Sequence, residues 1–422
     1  MYTAEGMTFN DVDYEASTGS SGGLFSCRRV LAASAVVAIA CSEPEVTRRF
    51  DTLLAALPDG DGVEGTLIDV RIASAGGADY DLCLGANLVA TNAPAAACEI
   101  EVLQAMNRWA LDSDASRLHL HAGLVARSAG GLLIVGESGS GKSTLTAYLA
   151  CLGWTYHGDE MVAVGPDEAC RVRTFPRPLT LKPGSIALLP SLWREPRADV
   201  ADRRHHVAPG ELGPVDRHND LPVKAVVFLS GQRAGPARLV RLGGTEAVER
   251  LLANTLDAER AGVAGIRTLV GLASACHLAR LDGDSLAETA DLLAELIESP
   301  LPPRDPPVRL QSFAAGRPYA WHPAEEKPRS AIGPFSIVRR KVAVEAWVLE
   351  DGAVLYDPEW GMLFRFNKQG ARVWQALDGM SSLASVAAAL AGTEEAVERV
   401  CGFARAVRNR RLIDLADIGP RR

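Results

Sequence analysis

Residues Gly131–Thr144 read GLLIVGESGSGKST. The apolar run GLLIV leads directly into Gly136-Glu137-Ser138-Gly139-Ser140-Gly141-Lys142-Ser143, which matches G-x-x-x-x-G-K-[ST]. Lys142–Leu152 then has the spacing of a helix. Strand, glycine-rich turn and helix in that order make a phosphate cradle. The glycines let successive backbone N–H groups converge on one point, beside the positive end of the helix dipole. Lys142 supplies a point charge for β- and γ-phosphates, and Ser143 a hydroxyl that can ligate Mg²⁺. Gly136–Ser143 with Thr144 is therefore the expected nucleotide-binding segment, with ATP and Mg²⁺ as its ligands. The competing reading is a glycine-rich turn carrying an incidental lysine.

Upstream of this stretch, Leu118–Val125 (LHLHAGLV) reads as a strand joined to Gly131–Val135 by the turn Arg127-Ser128-Ala129-Gly130. Downstream, Trp154–His157 and Met161–Val164 read as strands, with Asp159-Glu160 between them, 17 residues after Lys142. Adjacent strands of a parallel sheet would carry this acidic pair to the edge where the glycine-rich loop lies. One carboxylate can then hold Mg²⁺ through water while the other accepts a proton from an attacking hydroxyl. A solvated turn is the alternative. Residues 194–220 are polar, charged and turn-rich, as in a lid or an insertion. Val223–Ser230 reads as a buried strand, and Thr245–Leu256 and Ser285–Ile297 as amphipathic helices.

The 422-residue chain is long enough for two or three domains, and 47% hydrophobic with 23% charged residues is the balance of a globular protein. A net charge of −8 argues against a general nucleic-acid surface, which needs clustered Lys and Arg. The eight cysteines form no CxxC pair and no zinc-type cluster, so a reducing, cytoplasmic setting without disulfides is expected. Residues 1–110 read as an α+β region. Val30–Ala40, Thr66–Ser74 and Leu82–Val89 are strand-like, and Ala97–Leu111 has the periodicity of an amphipathic helix. Arg28-Arg29 ahead of the twelve-residue run Val30–Cys41 superficially resembles a signal sequence. The run is too short to span a bilayer, so a buried strand or helix and no membrane partner are expected.

From Ser299 the composition changes to SPLPPRDPPVRL, and residues 299–335 read as a Pro-rich interdomain linker. Beyond it, Ser336–Arg340, Ala343–Glu350, Ala353–Asp357 and Met362–Phe366 are strand-like. Lys368–Leu377, Leu383–Leu390 and Glu394–Leu412 have helical spacing. Short strands followed by three helices suggest a winged-helix-like unit over 336–415.

LHLHAGLV, GESGSGKST and GDE together resemble the catalytic core of the HPr kinase/phosphorylase family, and are reminiscent of ATP-dependent phosphoenolpyruvate carboxykinase. The nearer likeness is to HPr kinase-related proteins of bacterial peptide-modification clusters, in which PRPLTLK (Pro176–Lys182) is also familiar. The resemblance spans roughly residues 20–297 and is strongest over 117–185. It implies a catalytic set of His121 beside the transferred phosphate, Lys142, Asp159 as the acid that activates the acceptor hydroxyl, and Glu160 at the neighbouring acidic position. Ser143, Asp159 and Glu160 are the implied Mg²⁺ set. The arginine-bearing segment of HPr kinases has no match, which leaves Arg177 and Lys182 as the cationic candidates for the transferred phosphate. A surface turn among Pro176, Pro178 and Pro183 is an equal alternative for those two.

The segment from Val338 through DGAVLYDPEWGMLFRFNKQGARVWQALDG resembles the PqqD family, whose small domains bind leader regions of ribosomally made, post-translationally modified peptides. That resemblance covers about residues 336–415. It implies capture of a peptide strand at a sheet edge, against a helix. The implied contact residues are Met362, Leu363, Phe364, Phe366, Phe403 and Val407. A winged-helix DNA reader is the alternative, disfavoured by the acidic Glu394-Glu395 opening of the last helix.

The expected architecture is thus an α/β P-loop kinase core of the HPr kinase type over 111–298. An N-terminal α+β region precedes it, and a Pro-rich linker with a small C-terminal winged-helix-like α+β domain follows. The expected activity is ATP-dependent transfer of the γ-phosphoryl group to a Ser or Thr hydroxyl of a ribosomal precursor peptide tethered near the site. Other peptide-modifying enzymes are potential partners, and homo-oligomerisation stays open. A nucleotide-bound peptide chaperone without phosphotransfer and a small-molecule kinase are the alternatives.

Overall fold

The computed structural model describes residues 26–32, 35–61, 63, 66–77, 79–166, 170–174, 176–190, 205–216, 221–231, 235–302, 306–310, 332–391 and 393–415. The N-terminal elements are β1 (Ser26–Ala32), β2 (Ala35–Cys41), α1 (Pro44–Leu53), β3 (Thr66–Gly76), β4 (Asp79–Leu84), β5 (Asn87–Pro94) and α2 (Ala95–Ser113). The five strands form one sheet in sequence order, antiparallel except for the parallel β2–β3 pair. The apolar run at Val30–Cys41 is a hairpin rather than one element. The expected single strand Leu82–Val89 is broken at Gly85, whose φ of +59° lies in the left-handed region that favours glycine. Helices α1 and α2 cover one face, packing Val46, Phe50, Val102, Leu103 and Met106 against Val37, Ile39, Val70 and Ile72.

The central unit runs β6 (Leu118–Leu120), β7 (Ala122–Arg127), β8 (Gly130–Val135), α3 (Lys142–Cys151), β9 (Thr155–Gly158), β10 (Val162–Val164), β11 (Arg171–Arg173), β12 (Leu179–Leu181), α4 (Pro183–Ile186), β13 (His205–Val207), α5 (Pro209–Leu212), β14 (Leu221–Leu229), β15 (Arg238–Arg241), α6 (Gly244–Ala253), α7 (Gly262–Ala275), β16 (His277–Asp282) and α8 (Leu286–Glu298). Its sheet has the order β6-β10-β11-β14-β8-β7-β9, with β16 beside β14 and β15 beside β16. Every residue of β8 is buried, as its uninterrupted apolar sequence requires of a strand covered on both faces. Leu132 and Ile134 pack with α3 and α8 on one side. Leu133 and Val135 pack with α6 and α7 on the other.

Two expectations need correction here. LHLHAGLV is two strands broken at His121, because β6 pairs with β10 whereas β7 pairs with β8 and β9. The sheet is also mixed, not parallel, next to the loop. β7 lies between β8 and β9, antiparallel to both, so β8 and β9 run in the same direction two strands apart. Asp159 therefore still emerges at the edge that carries the glycine-rich loop. Within the expected lid, β13 pairs with β12 and α5 follows it, whereas 194–204 and 217–220 lie outside the described residues.

The C-terminal elements are β17 (Val308–Leu310), β18 (Ile337–Arg340), β19 (Glu345–Leu349), β20 (Gly352–Asp357), β21 (Met362–Asn367), α9 (Lys368–Ala376), β22 (Asp378–Ser382), α10 (Leu383–Leu390), α11 (Glu394–Asn409) and β23 (Ile413–Leu415). They build a four-stranded sheet β17-β19-β20-β21 and a three-stranded sheet β22-β18-β23. β17 falls in the expected linker but pairs antiparallel with β19, so part of that Pro-rich stretch is an edge strand of the C-terminal unit. All six residues of β20 are buried because the sheet is covered twice. Ala353 and Leu355 face α9–α11. Val354 and Tyr356, with Trp347 of β19, join the core formed by α6 and α7 of the central unit. The C-terminal unit is thus docked on the central one through a shared apolar core, not held only by a flexible tether. Among the described residues, no helix is long and apolar enough to cross a membrane.

Candidate functional site

The glycine-rich loop 136–141 spans the end of β8 and the start of α3. Gly139 and Gly141 have φ of +81° and +98°, which turn consecutive amides towards one side. Gly136 must also lack a Cβ, because one there would stand 2.7 Å from the Ser140 hydroxyl. The Lys142 ammonium is buried against the loop, donating to the carbonyls of Gly136 at 2.6 Å and Glu137 at 3.1 Å. Burial lowers its pKa, and the charges of Asp159 and Glu160 pull it back up.

The two acidic residues sit in contrasting environments. Asp159 is 1% exposed, and neither carboxylate oxygen has a hydrogen bond of good geometry. Burial and then the charge of Glu160 raise its pKa to about 6, against a smaller downward pull from the nearby Ser143 hydroxyl and Arg177. Glu160 holds a left-handed backbone with φ of +72°, which aims its carboxylate at His121, 3.3 Å from Nε2. That hydrogen bond lowers its pKa, burial opposes the shift, and Arg177, His121 and Lys142 add to it. Neighbouring carboxyls with pKa values driven apart are a recurrent sign of divided acid–base labour.

A cavity of about 390 Å³ is bordered by Lys142 and Glu160, whereas the buried Asp159 is not part of its wall. Its wall includes His121, Gly139, Lys142, Ser143, Glu160 and Arg177. Arg177 is 4% exposed, not on a surface turn; its Nε donates to the Pro178 carbonyl, and its own carbonyl accepts from the Tyr156 hydroxyl at 2.9 Å. Lys182 is exposed but also borders the cavity. Thr144 donates through Oγ1 to the Ser185 hydroxyl at 2.7 Å, tying α3 to α4. Glu137 and Ser140 face a second cavity of about 540 Å³ on the other side of the loop, which shares Ser138 and Gly139 with the first.

Mg²⁺ takes one or two carboxylates and completes its shell with phosphate and water. Ser143, Asp159 and Glu160 offer a hydroxyl and two carboxylates, and the unpartnered oxygens of Asp159 are the kind of buried acceptors a cation would satisfy. The residues present fit the ion. Among the described residues, no group of three or more His, Cys, Asp or Glu is arranged to hold a metal.

Some of the wall was not foreseen. Ile100, Leu103, Gln104 and Asn107 of α2 bring the N-terminal unit into the cavity, and Asn107 Oδ1 is buried without a partner. The signal available was two polar residues, Gln104 and Asn107, on the same helical stripe as Ile100 and Leu103. His206 of β13 also lines the cavity, 3.3 Å from the buried Glu99 carboxylate of α2, which Arg49 contacts as well. Gly123 is a further requirement, because a Cβ there would collide with the Thr146 hydroxyl and stand 3.1 Å from Asp159 Oδ1. Gly123→Ala is expected to displace the Asp159 carboxyl and reduce any chemistry it performs about 100-fold. Nucleotide titration should stay near the parent value; an unchanged rate would show that Asp159 need not be held where Gly123 lets it sit.

In the C-terminal unit, β21 is the end strand of its sheet and Met362 is exposed. Phe366 packs edge-on to Trp374 and Phe403, with centroids 5.8 and 5.1 Å apart, and Phe364 joins the same core. Leu363 lies on the opposite face, against the core of the central unit. Val407 is 1% exposed and belongs to the interior of the helical layer, not to a groove surface. The family described as coenzyme PQQ synthesis protein D (PqqD) matches residues 352–413, from β20 to the start of β23. No curated protein matches the chain. The chain therefore ends in a PqqD-type domain.

Proposed function

We propose that the chain is an ATP-dependent kinase that phosphorylates a Ser or Thr hydroxyl of a ribosomally made precursor peptide. PqqD domains bind precursor peptides, which supports peptide capture at the C-terminal unit in the biosynthesis of modified peptides. The exposed edge of β21 offers unpaired backbone groups to an incoming strand, beside the Phe366–Phe403 cluster. The observation that carries the kinase reading is the cavity that Lys142, Ser143, Glu160, His121 and Arg177 line together, with the buried Asp159 next to Glu160 and close to the Ser143 hydroxyl.

In this reading the loop amides and Lys142 hold the β- and γ-phosphates of ATP. Mg²⁺, when bound, would screen the phosphate charge at Ser143 and the two carboxylates. Asp159 accepts the proton of the acceptor hydroxyl as its oxygen bonds to the γ-phosphorus. The bond from that phosphorus to the bridging oxygen breaks, and ADP leaves with the electron pair. Arg177 stabilises charge spread over the transferred oxygens. Glu160 fixes His121, whose ring reaches the same cavity.

Mass spectrometry of a precursor peptide incubated with the protein and Mg-ATP tests this directly. A phosphate adduct that requires Lys142 is expected, with Lys142→Met losing it. Peptide binding with no adduct would instead support the chaperone alternative and overturn the kinase reading.

A further inference from the structure

Helix α6 joins the C-terminal sheet to the candidate site at both of its ends. Its N-cap, Gly243, has no side chain to satisfy the first amides. Asp351, in the turn between β19 and β20, does so from the other unit. Its carboxylate accepts from the Thr245 amide at 3.1 and 3.2 Å and from the Thr245 hydroxyl at 2.6 Å. Gly243 and Gly244 make the approach feasible. A Cβ at Gly243 would collide with that carboxylate, and one at Gly244 would stand 2.7 Å from Leu349. One turn on, Arg365 of β21 pairs with Glu249 at 3.3 Å and with Glu246 at 3.9 Å. Glu246 also holds Arg250 at 2.8 Å, and Arg250 lines the second cavity beside the loop.

The other end of α6 is stitched to the strand segment that carries His121. The Asn254 carbonyl accepts from the His121 amide at 2.8 Å, and the His119 carbonyl accepts from the Leu256 amide at 2.7 Å. Leu120 and Thr255 form an antiparallel bridge between these contacts. Asp257 then accepts from the His119 amide at 3.0 Å and meets its ring at 2.9 Å. The backbone of His121 is therefore anchored by the end of a helix whose start is capped from the PqqD-type unit.

We propose that Asp351 and Arg365 are positioning residues for the site, acting through α6 on His121 and on the Arg250 wall of the second cavity. This rests on the kinase reading only in assigning work to His121; the mechanical link stands on the contacts themselves. Because β21 is also the edge strand offered to a peptide, occupancy there would bear on the Arg365–Glu246–Arg250 chain and so on the nucleotide side of the loop.

Amide hydrogen exchange in the full chain tests the link without any ligand. Asp351→Ala is expected to speed exchange at His121 and Leu256 at least tenfold, and Thr245→Val, which loses the hydroxyl but keeps the amide donor, by a smaller factor. The double variant should do little more than Asp351→Ala alone, since the Thr245 hydroxyl bonds that same carboxylate. Thr245→Ser keeps the hydroxyl and should restore protection. Ser285→Ala removes a side-chain cap from α8, on the opposite face of the sheet. It serves as the control for general destabilisation and should leave His121 exchange unchanged. Unaltered His121 protection in Asp351→Ala, or the same loss in Ser285→Ala, would overturn the proposal. If the parent protein transfers phosphate, Asp351→Ala should lower kcat several-fold and shift its pH profile, because His121 no longer meets Glu160 squarely. A parent without transfer would sink the kinase reading and leave the exchange result intact.

Discussion

On the proposed kinase reading, Asp159→Asn is expected to lower phosphoryl transfer by about 1,000-fold while nucleotide affinity changes little, the usual scale for removing a positioned general base. The same substitution should make the free protein more stable. Asp159 is buried and its pKa is raised from 3.8 to about 6, so the folded state prefers the protonated acid more than the unfolded chain does. Its relative contribution to stability is fully present below about pH 4. It is lost as pH rises through about 6, where the folded protein must carry a desolvated charge. At neutral pH, Asp159→Asn should therefore gain about 1–3 kcal/mol. The upper end is the full linkage value, and the lower end allows for the buried amide put in its place. Urea titrations at pH 4 and pH 7 read the sign directly. The advantage of the variant should shrink towards pH 4.

The activity should follow the same group. Only the deprotonated acid can take the acceptor proton, so kcat/KM for the acceptor should fall about tenfold per pH unit at low pH and level off above the pKa that Asp159 has with Mg-ATP in place. A variant that lost transfer without gaining stability would make Asp159 an ordinary structural acid. One that gained stability while keeping transfer would remove it from the base role.

The parts of the site that were legible in the sequence are those whose chemistry is local. The glycine spacing of 136–143, the apolar strand before it and the helix after it can be read from consecutive residues, because a phosphate cradle is built from consecutive amides. Asp159-Glu160 was visible as an acidic pair at a strand end, although the route to the loop was misjudged. Nothing in the run LHLHAGLV says that one strand stops before His121 and that the residues after it pair elsewhere, since no Pro, Asn or Asp marks the break. The walls supplied from a distance were hidden for a different reason. Ile100, Gln104, Asn107 and His206 come together only through packing between separate units. The docking of the C-terminal sheet was legible only in part. GAVLYD in β20 is apolar at almost every position rather than alternating, which is the pattern of a strand covered on both faces. The proline-rich stretch before it favoured a tether, and β17 shows that part of that stretch is itself sheet.

Trp347→Ala is expected to destabilise the protein by about 3–5 kcal/mol, although the residue lies outside both the loop and the expected peptide groove. Trp347 is 2% exposed on the face of β19 turned towards the central unit, in one core with Val354, Tyr356, Leu251 and Leu269. If the C-terminal unit were only tethered, the indole would protect its own domain and leave the central one untouched. Because the core is shared, the two units should unfold in a single transition in the parent protein, and the loss should be felt at α6 and α7 as well. Exchange at α7 amides and intrinsic tryptophan emission, followed together in a urea titration, separate the two cases. Truncation after residue 302 is the stronger form of the test. It would leave the apolar faces of α6 and α7 open and remove the Asp351 cap, so the shortened chain should aggregate or expose apolar surface to a hydrophobic dye. A soluble truncation with parent-like unfolding would mean that the interface contributes little. The docked arrangement also alters what peptide capture can accomplish. A flexible tether raises local concentration without choosing among hydroxyls, whereas a sheet edge fixed relative to the cavity sets the span between a captured segment and the residue that reaches Asp159. Lengthening the peptide between those two points should then move the phosphorylated position, residue by residue, instead of leaving it unchanged.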